Sequence, residues 1–176
     1  MNRCPWALTP GAMQSYHDDE WGRSEPTEQA YFERLTLEAF QSGLSWATIL
    51  AKRPRFREVF AEFDVDAIAD FGPTEEEALM ADAGIVRNRL KVTSTIRNAQ
   101  ATVALRDSGG LVAFVDQFRP PVAPPYETTL TAESQALSKA LKKAGFAFVG
   151  PTTMHALMQA LGLFNPHHPD CYLAEM

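Results

Sequence analysis

Hydrophobic positions along the chain recur at helical spacing, and one short stretch reads as extended. Thr9-Pro10 predicts a cap and first helical position for a short helix running toward Asp18. Glu25-Pro26-Thr27 opens a longer one. In it Tyr31, Phe32, Leu35 and Ala39 recur at helical spacing while Leu37 and Phe40 occupy other faces, so this helix is apolar nearly all round and must be buried. Gly43 stops it. Ser45 caps the next helix, which carries Trp46, Ile49 and Leu50, and Pro54 ends or redirects it. Phe56, Val59, Phe60 and Phe63 predict a further short amphipathic helix, and Asp64 or Asp66 starts a turn of helix through Ile68.

Pro73-Thr74-Glu75-Glu76-Glu77 reads as a helix start with acids at the positive end of the dipole. After Asp82-Ala83-Gly84-Ile85-Val86 a long helix is expected from about Arg87 to Arg106, with Leu90, Ile96, Ala99 and Val103 as its stripe. Another covers Leu111 to Phe118. Pro120, Pro121, Pro124 and Pro125 deny regular structure to residues 119–132, a connection long enough to be functional or mobile, or else a plain surface crossing. Glu133 to Ala144 is a clear helix with Leu137 and Leu141 inward, stopped by Gly145. Phe146 to Val149 has no second strand to pair with and reads as an extended buried connector. Thr152 or Thr153 caps a last helix through Leu161. The fold class is therefore all-α.

Composition bounds this picture. The chain has 176 residues and is 45% hydrophobic, enough for one domain with a sizeable core or two small lobes sharing one. It has no apolar run of transmembrane length, and its first residues lack the layout of a signal peptide, so a soluble cytoplasmic protein is expected. The net charge of -6 argues against a nucleic-acid partner on its own. The cations are clustered, however, in Lys52-Arg53-Pro54-Arg55-Phe56-Arg57, in Arg87 to Lys91, and in Lys139, Lys142 and Lys143, runs that are commonly solvated helix faces.

Three groups of residues carry candidate chemistry. Cys4, His17, His167 and Cys171 form a Cys2His2 set, the ordinary donors of tetrahedral zinc. Filled by protein on all sides, such a site is structural, and it would staple the two ends of the chain together. Ordinary buried thiols and histidines are the competing reading, and His168 competes with His167 as ligand. The second group is Trp6, Tyr16, Trp21 and Trp46 around Glu38, a carboxylate set in the apolar run Leu37 to Trp46. Aromatic faces with one anion make a cage for a flat cation, although aromatics at these spacings are more often plain core. The third is Asp82 to Lys91, a glycine-containing turn leading into a helix that opens with Arg87 and Arg89, where helix-terminal amides can take a phosphate without any net positive charge on the protein.

In their order along the chain these blocks resemble the 3-methyladenine DNA glycosylase I family of bacterial base-excision repair enzymes. The matching residues are Arg3-Cys4-Pro5-Trp6, Tyr16-His17-Asp18-Asp19-Glu20-Trp21-Gly22, Leu37 to Trp46, Asp82 to Arg89, Leu137 to Gly150 and Gly162 to Cys171. The resemblance covers most of the chain and implies an all-α, helix-hairpin-helix DNA glycosylase fold. Its approximate lobes are 40–118, and 1–39 with 119–176, joined by a structural zinc on Cys4, His17, His167 and Cys171. It further implies a base pocket of Glu38, Trp46, Tyr16 and Trp6, with Trp21 nearby. Gly43 and Leu44 would fill the gap left by a flipped nucleotide, and Ala83-Gly84-Ile85, with Arg87, would anchor the DNA. Met13 departs from the family, which often carries a tyrosine there, keeping a polarizable wall but no hydroxyl. No obvious counterpart exists to the catalytic aspartate of other helix-hairpin-helix glycosylases.

The expected activity is hydrolysis of the N-glycosidic bond of 3-methyladenine in double-stranded alkylated DNA, with the free base as product, in a monomer independent of membranes. Glu38 is the expected catalytic residue. The rival readings are a non-catalytic binder of alkylated or abasic DNA, and a small-molecule cation binder using the same cage.

Overall fold

Helix α2 (Glu28–Gln41) is the axis around which the chain is wound. Every residue from Ala30 to Phe40 is buried, as its apolar faces require. It starts at Thr27, whose side chain accepts from the Ala30 amide, and packs against α3 (Trp46–Val59), α6 (Arg89–Leu105), α7 (Gly110–Asp116) and α9 (Pro151–Ala160). Around these lie α1 (Ala12–Asp19), α4 (Val65–Ala69), α5 (Pro73–Ala81) and α8 (Ala132–Lys143). The computed structural model describes residues 2–175, and among them there is no strand. Among the described residues no helix is long and apolar enough to cross a membrane.

Several elements differ from the sequence expectation. Pro54 lies inside α3, which runs through it unbroken to Val59. The proline is exposed while Leu50 and Phe56 on either side are buried, so core packing outweighs one missing backbone bond. Phe60 and Phe63 are core residues, but not on a helix. Ala61, Glu62 and Phe63 run left-handed, with φ of 49°, 53° and 60°. This turn completes a ring ladder, Phe40–Phe56 at 4.7 Å and Phe56–Phe60 and Phe60–Phe63 at 6.0 Å each, whose burial offsets a backbone cost of about 1–2 kcal/mol per residue.

Helix α6 begins at Arg89, not Arg87, because the Asn88 side chain caps it by accepting from the Lys91 amide. Leu90 is 71% exposed and does not belong to the inward stripe, which Val92, Ile96 and Ala99 supply. Helix α1 is capped at Gly11 and not at Thr9, and α9 starts at Gly150-Pro151 and not at Thr152 or Thr153, proline taking the first turn. The connector through Phe146 to Val149 is neither extended nor buried throughout, since Phe148 has φ of 56° and is 37% exposed. Asn98 of α6 holds it, donating to the Ala147 carbonyl at 3.0 Å and accepting from the Ala147 amide at 2.8 Å.

The two ends of the chain meet at α9. A Cβ on Gly162, whose φ is +67°, would lie 2.5 Å from the Gly22 carbonyl oxygen, so the C-terminal segment can approach the loop after α1 only through glycine.

Candidate active site and metal centre

Glu38 lies one turn before the C-terminal end of α2 and is buried at 6% exposure. It borders a cavity of about 240 Å³ lined by Trp6, Met13, Tyr16, Trp21 and Trp46, with Gln41, Ala156 and Gln159 completing the wall. All the residues expected at a base pocket are thus brought together. Gln41, Ala156 and Gln159 were not anticipated. Gln41 stands three residues beyond Glu38 on the same helix, a spacing that could have pointed to it. Ala156 and Gln159 reach the site only because α9 packs across α2.

The aromatic rings are tilted against one another. Tyr16 and Trp46 have centroids 5.2 Å apart at 52°, and Trp6 meets Trp21 edge-on at 5.0 Å and 90°. This leaves a slot bounded by π faces, with Glu38 at one side. Among the described residues Glu38 has no hydrogen-bond or ion-pair partner. Burial alone pushes its carboxyl up to about 8, so it carries a proton at neutral pH while the slot holds no cation. The Tyr16 phenol is held well above its ordinary value, first by burial and then by Glu38. The indole Nε1 of Trp46 is buried without a partner. A carboxyl and aromatic faces therefore converge on one space, an arrangement that favours a flat heterocycle, and a cationic one most.

The turn after α2 is solvent-facing. Gly43 has φ of +81°, Leu44 is 38% exposed, and the turn is closed by the Leu44 amide donating to the Gln41 carbonyl at 2.7 Å. From α6 the buried Lys91 ammonium donates to the carbonyls of Phe40 at 2.8 Å and Ser42 at 2.6 Å. It supplies the positive charge that a helix C-terminus favours.

Between α5 and α6 the expected anchoring turn is present but its groups are not all free. The Gly84 amide donates to Asp82 Oδ1 at 2.6 Å, which fixes the shape of the turn. The Ile85 side chain is buried at 2% exposure and can only pin the turn to the core. Lys52 of α3 donates to the carbonyls of Ala83 at 3.1 Å and Gly84 at 3.2 Å, and Arg55 holds Asp82 at 2.6 and 2.8 Å. Arg87 is exposed beside this turn.

Cys4, His17, His167 and Cys171 converge, their ligand atoms all within 4.8 Å of one another and all four residues buried. Cys171 Sγ is 3.4 Å from His17 Nε2 and 3.7 Å from His167 Nδ1, and Cys4 Sγ is 3.7 Å from the same Nδ1. These are edge lengths of a small tetrahedron. His17 Nδ1 lies 2.8 Å from Asp18 Oδ1, and Arg3 grips the same carboxylate, donating from Nε to Oδ1 and from Nη2 to Oδ2, so the ring is oriented with Nε2 toward the sulfurs. His168 is not part of the group; its ring meets Tyr126 edge-on at 4.8 Å. Two thiols and two imidazoles so arranged can hold one metal ion.

A family model described as methyladenine glycosylase matches residues 6–174. The DNA-3-methyladenine glycosylase of Haemophilus influenzae is 41% identical over 178 residues, covering 96% of each chain. DNA-3-methyladenine glycosylase 1 of Escherichia coli is 42% identical over 181 residues, covering 97% of this chain and 96% of that one. The fold is similar, with a TM-score of 0.93 and 30% identity, to a solved 3-methyladenine DNA glycosylase I from Staphylococcus aureus described for its recognition of 3-methyladenine, covering 100% of this chain and 98% of that one.

Proposed function

Because the chain belongs to the methyladenine glycosylase family, we propose that it excises 3-methyladenine from double-stranded alkylated DNA with Glu38 as the catalytic residue. The observation that carries the reading is the burial of a single carboxyl, without protein partner, against Tyr16 and Trp46. An adenine alkylated at N3 in DNA is a cation whose glycosidic bond is already weak. Extracting and recognising it therefore matters more than strong acid catalysis, and a damaged base is cheaper to flip.

The flipped base stacks on Tyr16 and Trp46, and Glu38 serves its edge. Its charge favours the ionised form of Glu38, so the carboxyl gives up its proton as the cation enters and then opposes that charge in a dry setting. Neutral adenine offers no such exchange. Heterolysis of the bond between the anomeric carbon and the base leaves the electron pair on the base, which becomes neutral. Water bonds to the anomeric carbon and loses a proton, leaving an abasic site.

The exposed Gly43-Leu44 turn is suited to occupy the gap in the duplex, with Lys91 holding it from behind. Arg87 and the turn at Gly84 supply the backbone contacts. The two lobes, 40–118 and 1–39 with 119–176, would then face the duplex together as one monomer.

The donor set and spacing of Cys4, His17, His167 and Cys171 fit a single zinc ion. With four protein donors it would be structural, holding the chain ends that carry Trp6 and Trp21.

The test is release of free 3-methyladenine from methylated DNA by wild type and by Glu38→Gln. Wild type is expected to release the base and the variant to release it far more slowly. A wild type that binds abasic-site DNA but releases nothing would make the protein a binder of damage instead.

A further inference from the structure

The elements that carry the pocket walls are tied together at a second place. Tyr16 lies on α1 and Trp21 just after it, Glu38 on α2, and Trp46 at the start of α3. Helix α1 packs on α3, and α3 on α2. Arg53 of α3, about two turns beyond Trp46, joins both neighbours through one guanidinium. Its Nη1 and Nη2 donate to the two carboxylate oxygens of Glu20 at 2.7 and 2.8 Å, and its Nε donates to Glu33 of α2 at 2.8 Å. Glu20 is itself bonded to the pocket wall. Its backbone amide donates to the Tyr16 carbonyl at 3.1 Å, and Trp21 follows it in the chain.

This hub is largely closed to water. The side chains of Arg53 and Glu33 are 12% and 10% exposed, and that of Arg34, 3.5 Å from Glu20, is 5% exposed. Arg57 places a second guanidinium on Glu33, at 2.7 and 3.1 Å. Buried ion pairs seldom stabilise a fold better than apolar side chains of the same size, because desolvation offsets their attraction. What a planar guanidinium held by three bonds does supply is one fixed placement of the groups it joins. Tyr16 stands beside it, lining the proposed base pocket and also, with Glu20, Leu50 and Arg53, a neighbouring cavity of about 570 Å³. Glu20 acts on the Tyr16 phenol in one sense and Arg34 and Arg53 in the other, so the hub brings little net charge to a pocket suited to a cation.

We propose that Arg53 is a positioning residue for base excision, setting the Tyr16 ring against Trp46 and Glu38 through its bonds to Glu20 and Glu33. The inference rests on the reading of the first pocket as the base pocket. A flat cation gains its full attraction only when both rings and the carboxyl meet it at contact distance, and here the three come from three separate elements. Arg53 bonds a carboxylate on each side of α3, whereas among the described residues the bonds of Arg57 go to Glu33 alone. The link to the Tyr16 side therefore runs through Arg53.

Single-turnover release of 3-methyladenine from methylated DNA tests this, run on metal-replete, full-length protein at a temperature where circular dichroism shows each variant folded. Arg53→Lys keeps the charge and loses the planar fork, and Glu20→Ala removes the same link from the other side. Each is expected to lower the maximal rate about tenfold or more, while the protein concentration giving half that rate stays within about twofold, because other surfaces grip the duplex. Arg57→Lys, which disturbs Glu33 without touching Glu20, is expected to leave both quantities unchanged. In nuclear Overhauser spectra the contact between the Tyr16 and Trp46 rings, whose centroids lie 5.2 Å apart, should weaken in the first two variants and persist in the third. If Arg53→Lys does not fold, Glu20→Ala carries the test. A full rate in a folded Arg53→Lys or Glu20→Ala variant, or an equal loss in Arg57→Lys, would overturn the proposal and make the hub a clamp on the fold alone. A wild type that releases no base would instead overturn the glycosylase reading, and the ring contact would then decide the placement of Tyr16 by itself.

Discussion

Trp21 stands edge-on to His167, ring centroids 4.9 Å apart at 83°, so a wall of the proposed base pocket leans directly on the group that can hold a metal. Trp6 makes the equivalent contact with His17, at 5.3 Å and 70°. The metal centre and the pocket therefore share two side-chain contacts and one stretch of backbone, since Trp6 follows Cys4 by two residues.

Removing the metal is expected to loosen the pocket as well as the fold. Protein stripped by chelator, with zinc loss checked by elemental analysis, should melt at lower temperature and bind 3-methyladenine at least about tenfold more weakly, about 1.4 kcal/mol. Metal-free protein that binds the base as tightly as the loaded form would separate the two sites.

The Glu38 carboxyl predicts an unusual pH profile. Its folded value, about 8, lies above the ordinary 4.5, so the folded state holds a proton that the unfolded state releases over that range. Stability is therefore unaffected by Glu38 below about pH 4.5 and falls as pH rises from there toward about 8. Urea titrations of wild type and Glu38→Gln between those limits should show a gap that widens in favour of the variant. Parallel curves would contradict the buried, unpartnered state of this group. By the same linkage, uptake of a cationic base near neutral pH should release a proton to buffer.

Lys91 sets the end of α2 and the turn beyond it. Lys91→Met leaves the carbonyls of Phe40 and Ser42 without their charged donor and should cost about 2–3 kcal/mol of stability. Lys91→Arg should recover part of it. Because the same contacts hold Gly43 and Leu44, affinity for abasic-site DNA should fall in the methionine variant, measured at a temperature where it is fully folded. Undiminished stability and DNA affinity would show that the turn holds itself.

Gly84→Ala addresses the turn proposed to meet DNA. The new Cβ would lie 2.6 Å from Arg55 Cγ and 2.8 Å from Asp82 Oδ1, so Arg55 and Asp82 must give way and the Gly84–Asp82 bond with them. The expected outcome is weaker binding to duplex DNA, about tenfold, with affinity for free 3-methyladenine unchanged. Equal loss of both would mean that the turn supports the whole fold and not a DNA surface.

Much of this protein is legible in the order of its residues. The all-round apolar pattern of Tyr31 to Phe40 required a buried helix, and the cap at Ser45 and the stop at Gly43 stand where local chemistry put them. Cys4, His17, His167 and Cys171 were legible as a donor set, and Glu38 as an acid with no solvent to face. Local rules failed where packing overrode them. Pro54 stays helical because Leu50 and Phe56 anchor α3 in the core, and Ala61 to Phe63 run left-handed because two rings must turn inward. Which side chains complete the pocket was beyond any spacing rule. Gln159 and Ala156 reach Trp6 and Trp21 only when α9 crosses α2, a relation between segments more than a hundred residues apart in the chain. Periodicity records which residues must leave water; the choice of their neighbours belongs to the packing of one helix on another.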